Sequence, residues 1–397
     1  MSSISDCPLP ETRTLELACS CCGALFSASE LQTFASCCNK PLLVKYNYEE
    51  APQRNAIRTE VQSMWRYQAV LPVLNEDDIV TLSEGFTPII RLGRIARSQG
   101  LGDVSIKDES YNPTGSFKAR GISMAISKAK ELGVKSCVIP TAGNAGGALS
   151  AYCAKAGMDA TVFMPSWTPK MFVDECRIFG AEVILVNGLI NECGKKAAEL
   201  SRQTGAFDIS TLKEPYRIEG KKTMGYEIAE QFGWNLPEII FYPAGGGTGL
   251  IGIWKAFKEM KQMGWISGSL PKMIAVQTEN CQPVVKAYHD RTGIFNPYEN
   301  PKPSIANGLA VPYPFGLDLM LEVIQESGGL AVAVSEEEIL DGLKDLARME
   351  GLLISPEGAS LWKAMIKLKK QNILSGDEKI ILLNTGSAYK YFDNIFP

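Results

Sequence analysis

The chain has 397 residues, 45% hydrophobic and 21% charged, a soluble globular balance with room for two or three domains. Its formal net charge of −4, with no long basic run, argues against nucleic acid as a partner. No stretch approaches the ~20 uninterrupted apolar residues of a membrane span. The opening "MSSISDCPLPETRTLELACS" lacks the basic and apolar regions of a secretory leader, so a cytoplasmic location is expected.

Residues 15–47 are cysteine-rich and end in "PLLVKYN", which can pair against "TLELAC". Residues 51–100 form a connecting region with a helix-like stretch, "NAIRTEVQSMWRY", and a turn, "LSEGFTPII". From about residue 104 short apolar runs follow one another: "VSIKDE", "SCVIPTA", "ATVFMP", "EVILVNG", "EIIFYPAG", "MIAVQTE", "LAVAVS" and "KIILLNTGS". Consecutive Val and Ile in several of them are the mark of fully buried strands. Helix-like segments such as "GISMAISKAKELG", "AGGALSAYCAKAGM", "INECGKKAAELSRQTG" and "EEEILDGLKDLARMEG" lie between them. This alternation predicts an α/β fold of open, doubly wound parallel sheets, which bind ligands beyond the carboxyl ends of their strands.

Chemistry is therefore sought in the turns after strands. Eleven cysteines are scattered, several inside apolar runs (Cys137, Cys153, Cys176), which suits reduced thiols. The one histidine, His289, sits at the polar end of a short helix-like stretch and reads as a surface residue. Lysine, carboxylates, hydroxyls or a cofactor must then carry any reaction. In "PTGSFKAR", Lys118 stands between a loop and a helix, where an amine can form a Schiff base or simply cap and pair. In "IPTAGNAGGALSAYCAKAG", Asn144 and small residues open a helix whose free N–H groups attract an anion. Asn144 can also hydrogen-bond an oxygen on an aromatic ring, or serve only the backbone of a tight turn. In "YPAGGGTGLIGIWKAF", Gly245, Gly246, Gly247, Thr248 and Gly249 allow close backbone approach and a phosphate cradle. The spacing is neither the P-loop nor the dinucleotide fingerprint. In "LLNTGSAYKY", Thr385 or Ser387 can offer a hydroxyl to a ring nitrogen, or merely end a strand. An amine, a ring-oxygen partner, a phosphate cup and a ring-nitrogen partner together match pyridoxal 5′-phosphate.

The stretches "SEGFTPI", "KDESYNPTGSFKARG", "PTAGNAGG", "LKEPYRIEGKKTMGYEIAEQ", "AGGGTGLIG" and "NTGSAYK", in that order from about residue 80 to the end, resemble the tryptophan synthase β-like (fold type II) pyridoxal-phosphate enzymes, and within them the threonine synthases. The resemblance implies Lys118 as the Schiff-base lysine, Asn144 at the phenolic oxygen, Gly245 to Gly249 at the phosphate and Thr385 at the pyridine nitrogen. It implies Thr141 and Ala145 at the substrate carboxylate. Arg217 and Lys222, in "YRIEGKKT", are implied at the phosphate of O-phospho-L-homoserine, which water would convert to threonine and phosphate. Arg217 could instead form an ion pair with Glu219. Ala119 stands where many threonine synthases have aspartate. Serine/threonine dehydratases share the "S-F-K-x-R-G" stretch, and a cysteate synthase acting on phosphoserine would share much of the chain. A non-catalytic binding protein on this fold is a further alternative.

The resemblance also implies a domain plan: a small module in 1–50, a smaller α/β domain in 101–215 with the lysine, and a larger one in 51–100 plus 216–397 with the phosphate cup. It implies a homodimer. Relatives often carry a zinc ribbon built from two C-x-x-C pairs. Here Cys19 and Cys22 supply one pair, Cys38 fills one position of the other, and Ala35 occupies the last, leaving Cys37 as the substitute ligand.

Overall fold

The buried apolar runs assemble into two parallel sheets, and a small antiparallel sheet precedes them. The computed structural model describes residues 15–48, 51–290 and 298–395; the expectation about a leader rests on residues 1–20, of which 1–14 lie outside the described residues. In the small sheet, β1 (Leu15–Cys19) is central, between β2 (Leu25–Ser27) and β3 (Leu42–Tyr46). Leu15 faces Tyr46 and Cys19 faces Leu42, so "TLELAC" and "PLLVKY" do pair. Leu17, Leu42 and Val44 turn to the core, as period-2 alternation in a one-sided sheet requires.

The connecting stretch "NAIRTEVQSMWRY" does not form the expected α-helix. Only two 3₁₀ turns appear, Arg54–Ala56 and Met64–Val70. Its large residues are buried against different partners: Trp65 Nε1 donates to Glu84 at 2.8 Å, and Arg66 pairs with Glu230 at 2.6 Å. Several tertiary anchors in different directions override a helical period.

The rest of the chain runs β4 (Ile89–Arg91), α1 (Gly93–Ser98), β5 (Asp103–Asp108), α2 (Lys118–Glu131), β6 (Ser136–Pro140), α3 (Asn144–Ala156), β7 (Asp159–Pro165), α4 (Lys170–Ile178), β8 (Glu182–Val186), α5 (Ile190–Thr204) and β9 (Phe207–Asp208). It continues through α6 (Tyr216–Gln231), β10 (Ile239–Pro243), α7 (Thr248–Gln262), β11 (Lys272–Thr278), α8 (Pro283–Asp290), α9 (Leu317–Glu326), β12 (Leu330–Val334), α10 (Glu336–Glu350), α11 (Pro356–Lys370) and β13 (Lys379–Asn384). The smaller sheet has the order β8-β7-β6-β9, all parallel. Along β6, Cys137 and Ile139 join the core shared with α2 and α3, while Val138 joins Cys193 and Ala197 of α5. Both faces are thus covered, as a parallel sheet demands. The larger sheet has the order β12-β11-β10-β13-β5-β4, parallel except for the β4–β5 edge.

That order corrects the domain plan. Strand β5 falls in the segment assigned to the smaller domain, yet it pairs with β13 from Asp103↔Lys379 to Asn384↔Asp108. Val104 through Asp108 are buried, so this strand needs neighbours on both edges and cover on both faces, which only the larger sheet offers. The chain leaves the larger sheet after Asp108 and carries Lys118 across to the smaller one.

Candidate active site

The loop after β5 reaches Lys118 through left-handed backbone at Thr114 and Gly115, both with φ of 60°. It is tied to the turn after β13: Phe117 N–H donates to the Thr385 carbonyl at 3.0 Å, and Ser387 N–H to that of Gly115 at 2.9 Å. Of the two cations in "FKAR", Arg120 is structural. It is fully buried and meets Glu109 and Glu227, each at 2.5 Å. Lys118 has no carboxylate within ion-pair distance among the described residues; its amine lies 4.1 Å from the centre of the Phe117 ring. Burial, then the Arg217 guanidinium, push the Lys118 amine down to about 7, with Glu357 opposing. A lysine that is substantially neutral at pH 7 is a nucleophile and a base.

The glycine turn between β10 and α7 approaches its neighbours closely. A Cβ on Gly245 would stand 2.1 Å from the Gly308 carbonyl, and one on Gly246 2.8 Å from Thr211 Cγ2. Gly247 has φ of 82° and caps the 15-residue helix α7, whose first N–H groups form an anion site. Gly249 N–H already donates to the Tyr242 hydroxyl at 3.1 Å, so one of the five predicted donors is committed. The Tyr242 ring packs 6.5 Å from that of Phe117, placing the cup beside the lysine turn.

Asn144 opens α3, with Thr141 at the end of β6 and buried Ala145 flanking it. Asn144 Nδ2 donates to the Tyr391 hydroxyl at 3.1 Å, while its Oδ1 is buried without a partner. Tyr391 in turn lies 3.1 Å from Glu357 Oε1, which also accepts from Gly308 N–H at 2.9 Å. Neither Glu357 nor Tyr391 stands out in the sequence. "SPEGAS" reads as an ordinary helix start, with Ser355 capping α11 and a carboxylate in the first turn.

Helix α6 carries two lysines in opposite circumstances. Lys222 was expected at a substrate phosphate, but it is spent on structure: it pairs with Glu219 at 2.7 Å and Glu259 at 3.0 Å, all fully buried. Lys255 and Tyr46 join the same network. Glu219 is thereby taken, and Arg217 makes no ion pair with it. Lys221 faces the other way. Its amine donates to the Phe117 carbonyl and lies 3.6 Å from the ring centre that Lys118 also approaches. No carboxylate comes within ion-pair distance of Lys221 or Arg217 among the described residues. Arg217 is 1% exposed; Nη1 donates to the Ile209 carbonyl at 2.8 Å and reaches Thr211 at 3.4 Å, and Nε has no partner. Burial depresses both the Arg217 guanidinium and the Lys221 amine. Lys118, Lys221 and Arg217 thus lie within one another's field: beyond burial, the guanidinium depresses both amines, while carboxylates beyond ion-pair reach, Glu357, Glu109 and Glu214 among them, oppose the depression. Of the two lysines, Lys221 is the one on the side of Lys118 and Arg217.

Away from this cleft, the sulfurs of Cys19, Cys22, Cys37 and Cys38 all lie within 4.8 Å of one another. The turn Ala35–Lys40, closed by a bond from Ala35 N–H to the Lys40 carbonyl, brings both adjacent cysteines inward despite the missing one at Ala35. The Cys22 and Cys21 amides help lower Cys19 to about 7, while burial raises Cys37 and the Cys22 sulfur raises Cys38. His289 is exposed at the end of α8 and belongs to no such cluster among the described residues.

Residues 80–386 match the profile of the family described as "Pyridoxal-phosphate dependent enzyme". The chain is 33% identical over 376 residues to the threonine synthase of Methanocaldococcus jannaschii and 35% identical over 376 residues to that of Methanosarcina acetivorans. Each match covers 94% of this chain and 92% of the relative. Among solved structures, the processed form of threonine deaminase isoform 2 from Solanum lycopersicum superposes with a TM-score of 0.66 over 94% of this chain and 97% of that one, at 22% identity. A pyridoxal 5′-phosphate-dependent aspartate racemase superposes with a TM-score of 0.67 over 85% and 97%, at 21% identity. At that identity the likeness speaks for the fold alone.

Proposed function

Because the chain belongs to the pyridoxal-phosphate-dependent enzyme family, we propose that its site converts O-phospho-L-homoserine and water into L-threonine and phosphate. The observation that carries this reading is Arg217, a buried guanidinium beside the lysine turn with an unpartnered Nε and no carboxylate within ion-pair distance among the described residues. A dehydratase acting on serine or threonine has one phosphate to hold, the cofactor's. A reaction on a phosphorylated amino acid has two, and a planar fork of donors suits the second.

The residues present fit pyridoxal phosphate: a glycine cup that any Cβ would fill, a buried amide oxygen on Asn144 awaiting a partner, and a depressed lysine amine. Bound there, the cofactor supplies an aldehyde for a lysine and an electron sink for carbanion charge. Lys118 would anchor that aldehyde through Nζ, and the same amine would serve as the base for the proton on the substrate α-carbon. The amides of Gly245 to Thr248 would hold the cofactor phosphate, with Asn144 as the candidate partner of its phenolic oxygen and Thr385 of its ring nitrogen. Thr141 and Ala145 receive the substrate carboxylate at the start of α3. Arg217, with Lys221 in place of Lys222, binds the substrate phosphate.

Two coarser features complete the reading. The four clustered thiols hold a structural zinc ion, which serves no step of the reaction. About one zinc per chain, lost when Cys22 and Cys37 are changed to serine, would support this; metal-free protein of unchanged stability would not. The enzyme works as a cytoplasmic homodimer, which light scattering and fractionation test. No helix among the described residues is long and apolar enough to cross a membrane.

The decisive assay supplies cofactor-loaded protein with O-phospho-L-homoserine, and separately with L-threonine, and quantifies phosphate, threonine and 2-oxobutyrate. Equal phosphate and threonine from the first substrate is the expected result. Turnover of threonine alone would make the protein a dehydratase; turnover of phosphoserine with sulfite alone, a cysteate-forming enzyme.

A further inference from the structure

The first turn of α3 is pressed against α4 at two successive glycines. A Cβ on Gly146 would stand 2.9 Å from Cys176 Sγ, and one on Gly147 would stand 2.2 Å from the Glu175 carboxyl carbon and from its Oε2. The Glu175 carboxylate thus lies directly on the fourth residue of α3, about one helical turn from the free N–H groups that open the helix. A carboxylate at the positive end of a helix favours the helix. The proposed function, however, gives the same end to the carboxylate of the substrate, and like charges so close together repel.

Lys390 supplies the opposite charge. Its Nζ lies 2.6 Å from Glu175 Oε1, the two side chains are 8% and 10% exposed, and neither makes another ion pair among the described residues. The pair is assembled from distant parts of the chain: Lys390 follows β13 of the larger sheet, and Glu175 lies on α4, between strands of the smaller one. The lysine stem is held in place. A Cβ on Gly115, in the loop before Lys118, would stand 3.4 Å from Lys390 Cε, and the ring of the next residue, Tyr391, packs against Phe172 of α4 with centroids 6.0 Å apart. Glu175 Oε2, the oxygen that lies on Gly147, is buried without a partner, so the neutralisation of this carboxylate falls to Lys390.

We propose that Lys390 is a positioning residue: by cancelling the charge of Glu175, it leaves the start of α3 free to receive the carboxylate of an amino-acid substrate. A pair that only clasped the two sheets together would loosen with either partner gone. A pair that cancels charge gives the two removals opposite signs. Without Lys390, an uncompensated carboxylate faces the ligand; without Glu175, there is no negative charge left to face it.

The inference rests on the reading of α3 as the carboxylate site, not on which amino acid reacts, and its test uses a ligand with no leaving group. Cofactor-loaded protein is titrated with L-norvaline and with L-norvalinamide, followed by absorbance, for the wild type, Lys390→Met, Glu175→Gln and the double variant. Lys390→Met should weaken norvaline roughly tenfold, the worth of one nearby like charge in a partly buried site, and leave the uncharged amide nearly as it was. Glu175→Gln should hold norvaline as tightly as the wild type or more so. The double variant should return norvaline to within about twofold of the wild type. Unchanged norvaline affinity in Lys390→Met, an equal loss for norvaline and its amide, or no rescue in the double variant would each overturn the proposal. Should Lys390→Met fold poorly, Glu175→Gln decides alone, since weaker norvaline binding there would show a clasp. A wild type that holds both ligands equally would overturn it too, because α3 would then receive no carboxylate. A protein that fails the product assay but shows the expected pattern would refute the reaction and keep the role of Lys390.

Discussion

Lys221 and Lys222 are neighbours on one helix, equally buried, and do opposite things. Lys222 lies in a network of Glu219, Glu259, Lys255 and Tyr46, where each buried charge meets its opposite. Lys221 lies with Lys118 and Arg217, basic groups with no carboxylate within ion-pair distance among the described residues, where burial and the guanidinium drive both amines toward the neutral form. The first arrangement is complete as it stands and joins the N-terminal sheet to the body of the protein through Tyr46. The second leaves Arg217 Nε without a partner, room for the acceptor that the proposed substrate phosphate would supply. Burial alone therefore does not mark a functional cation; burial without a carboxylate does.

Four experiments break or sharpen this contrast. The largest effect is expected on the unpaired side. Lys118→Ala should lower turnover by roughly 10³-fold or more, since one residue serves as cofactor anchor and base, with the melting temperature held or raised because a buried amine has gone. Steady-state kinetics and a thermal melt check both halves. On the paired side, Glu259→Gln leaves Lys222 and Lys255 short of a counter-charge. It should cost about 3 kcal/mol of stability in a urea titration, while the KM for substrate changes little. Arg217→Gln should raise the KM for O-phospho-L-homoserine by roughly 10²-fold, the worth of charge-assisted hydrogen bonds to a phosphate. Affinity for pyridoxal phosphate should change far less, and a parallel loss of both would place Arg217 at the cofactor's phosphate instead.

The smallest effect is one of pH. In the folded protein Lys118 loses its proton at about 7, whereas in the unfolded chain it keeps it to about 10.4. The penalty for burying its charge is therefore complete below pH 7 and is relieved as pH rises from about 7 towards 10, the reverse of a paired lysine. Only the neutral amine captures the cofactor. Capture by apo-protein, followed by absorbance, should quicken about tenfold per pH unit below 7 and level off above it. A rate still climbing at pH 9 would show an unperturbed lysine.

Much of the architecture is visible along the chain. Eight apolar runs become eight of the strands of the two parallel sheets, because strands buried on both faces must be continuously apolar. The turns after them hold Lys118, Asn144, the glycines and Thr385, because parallel sheets present strand ends on one side. Other features were hidden or misread. "NAIRTEVQSMWRY" looks helical, but Trp65 and Arg66 answer to partners far along the chain. "VSIKDE" looks like the first strand of the domain that follows it, but hydrogen-bonds to the last strand of the chain. Glu357 and Tyr391 carry no local signal at all.

What the residue order settles here is local: which runs are strands, where a glycine must stand, which lysine follows a turn and precedes a helix. These depend on backbone sterics and on burial of consecutive side chains. Which of two adjacent lysines faces the ligand, which cysteine takes the place of a missing one, and which carboxyl stands behind Asn144 are decided by the packing of distant segments. Successive helical residues point about 100° apart. Only neighbouring helices and sheets determine which direction meets a carboxylate and which meets an empty site.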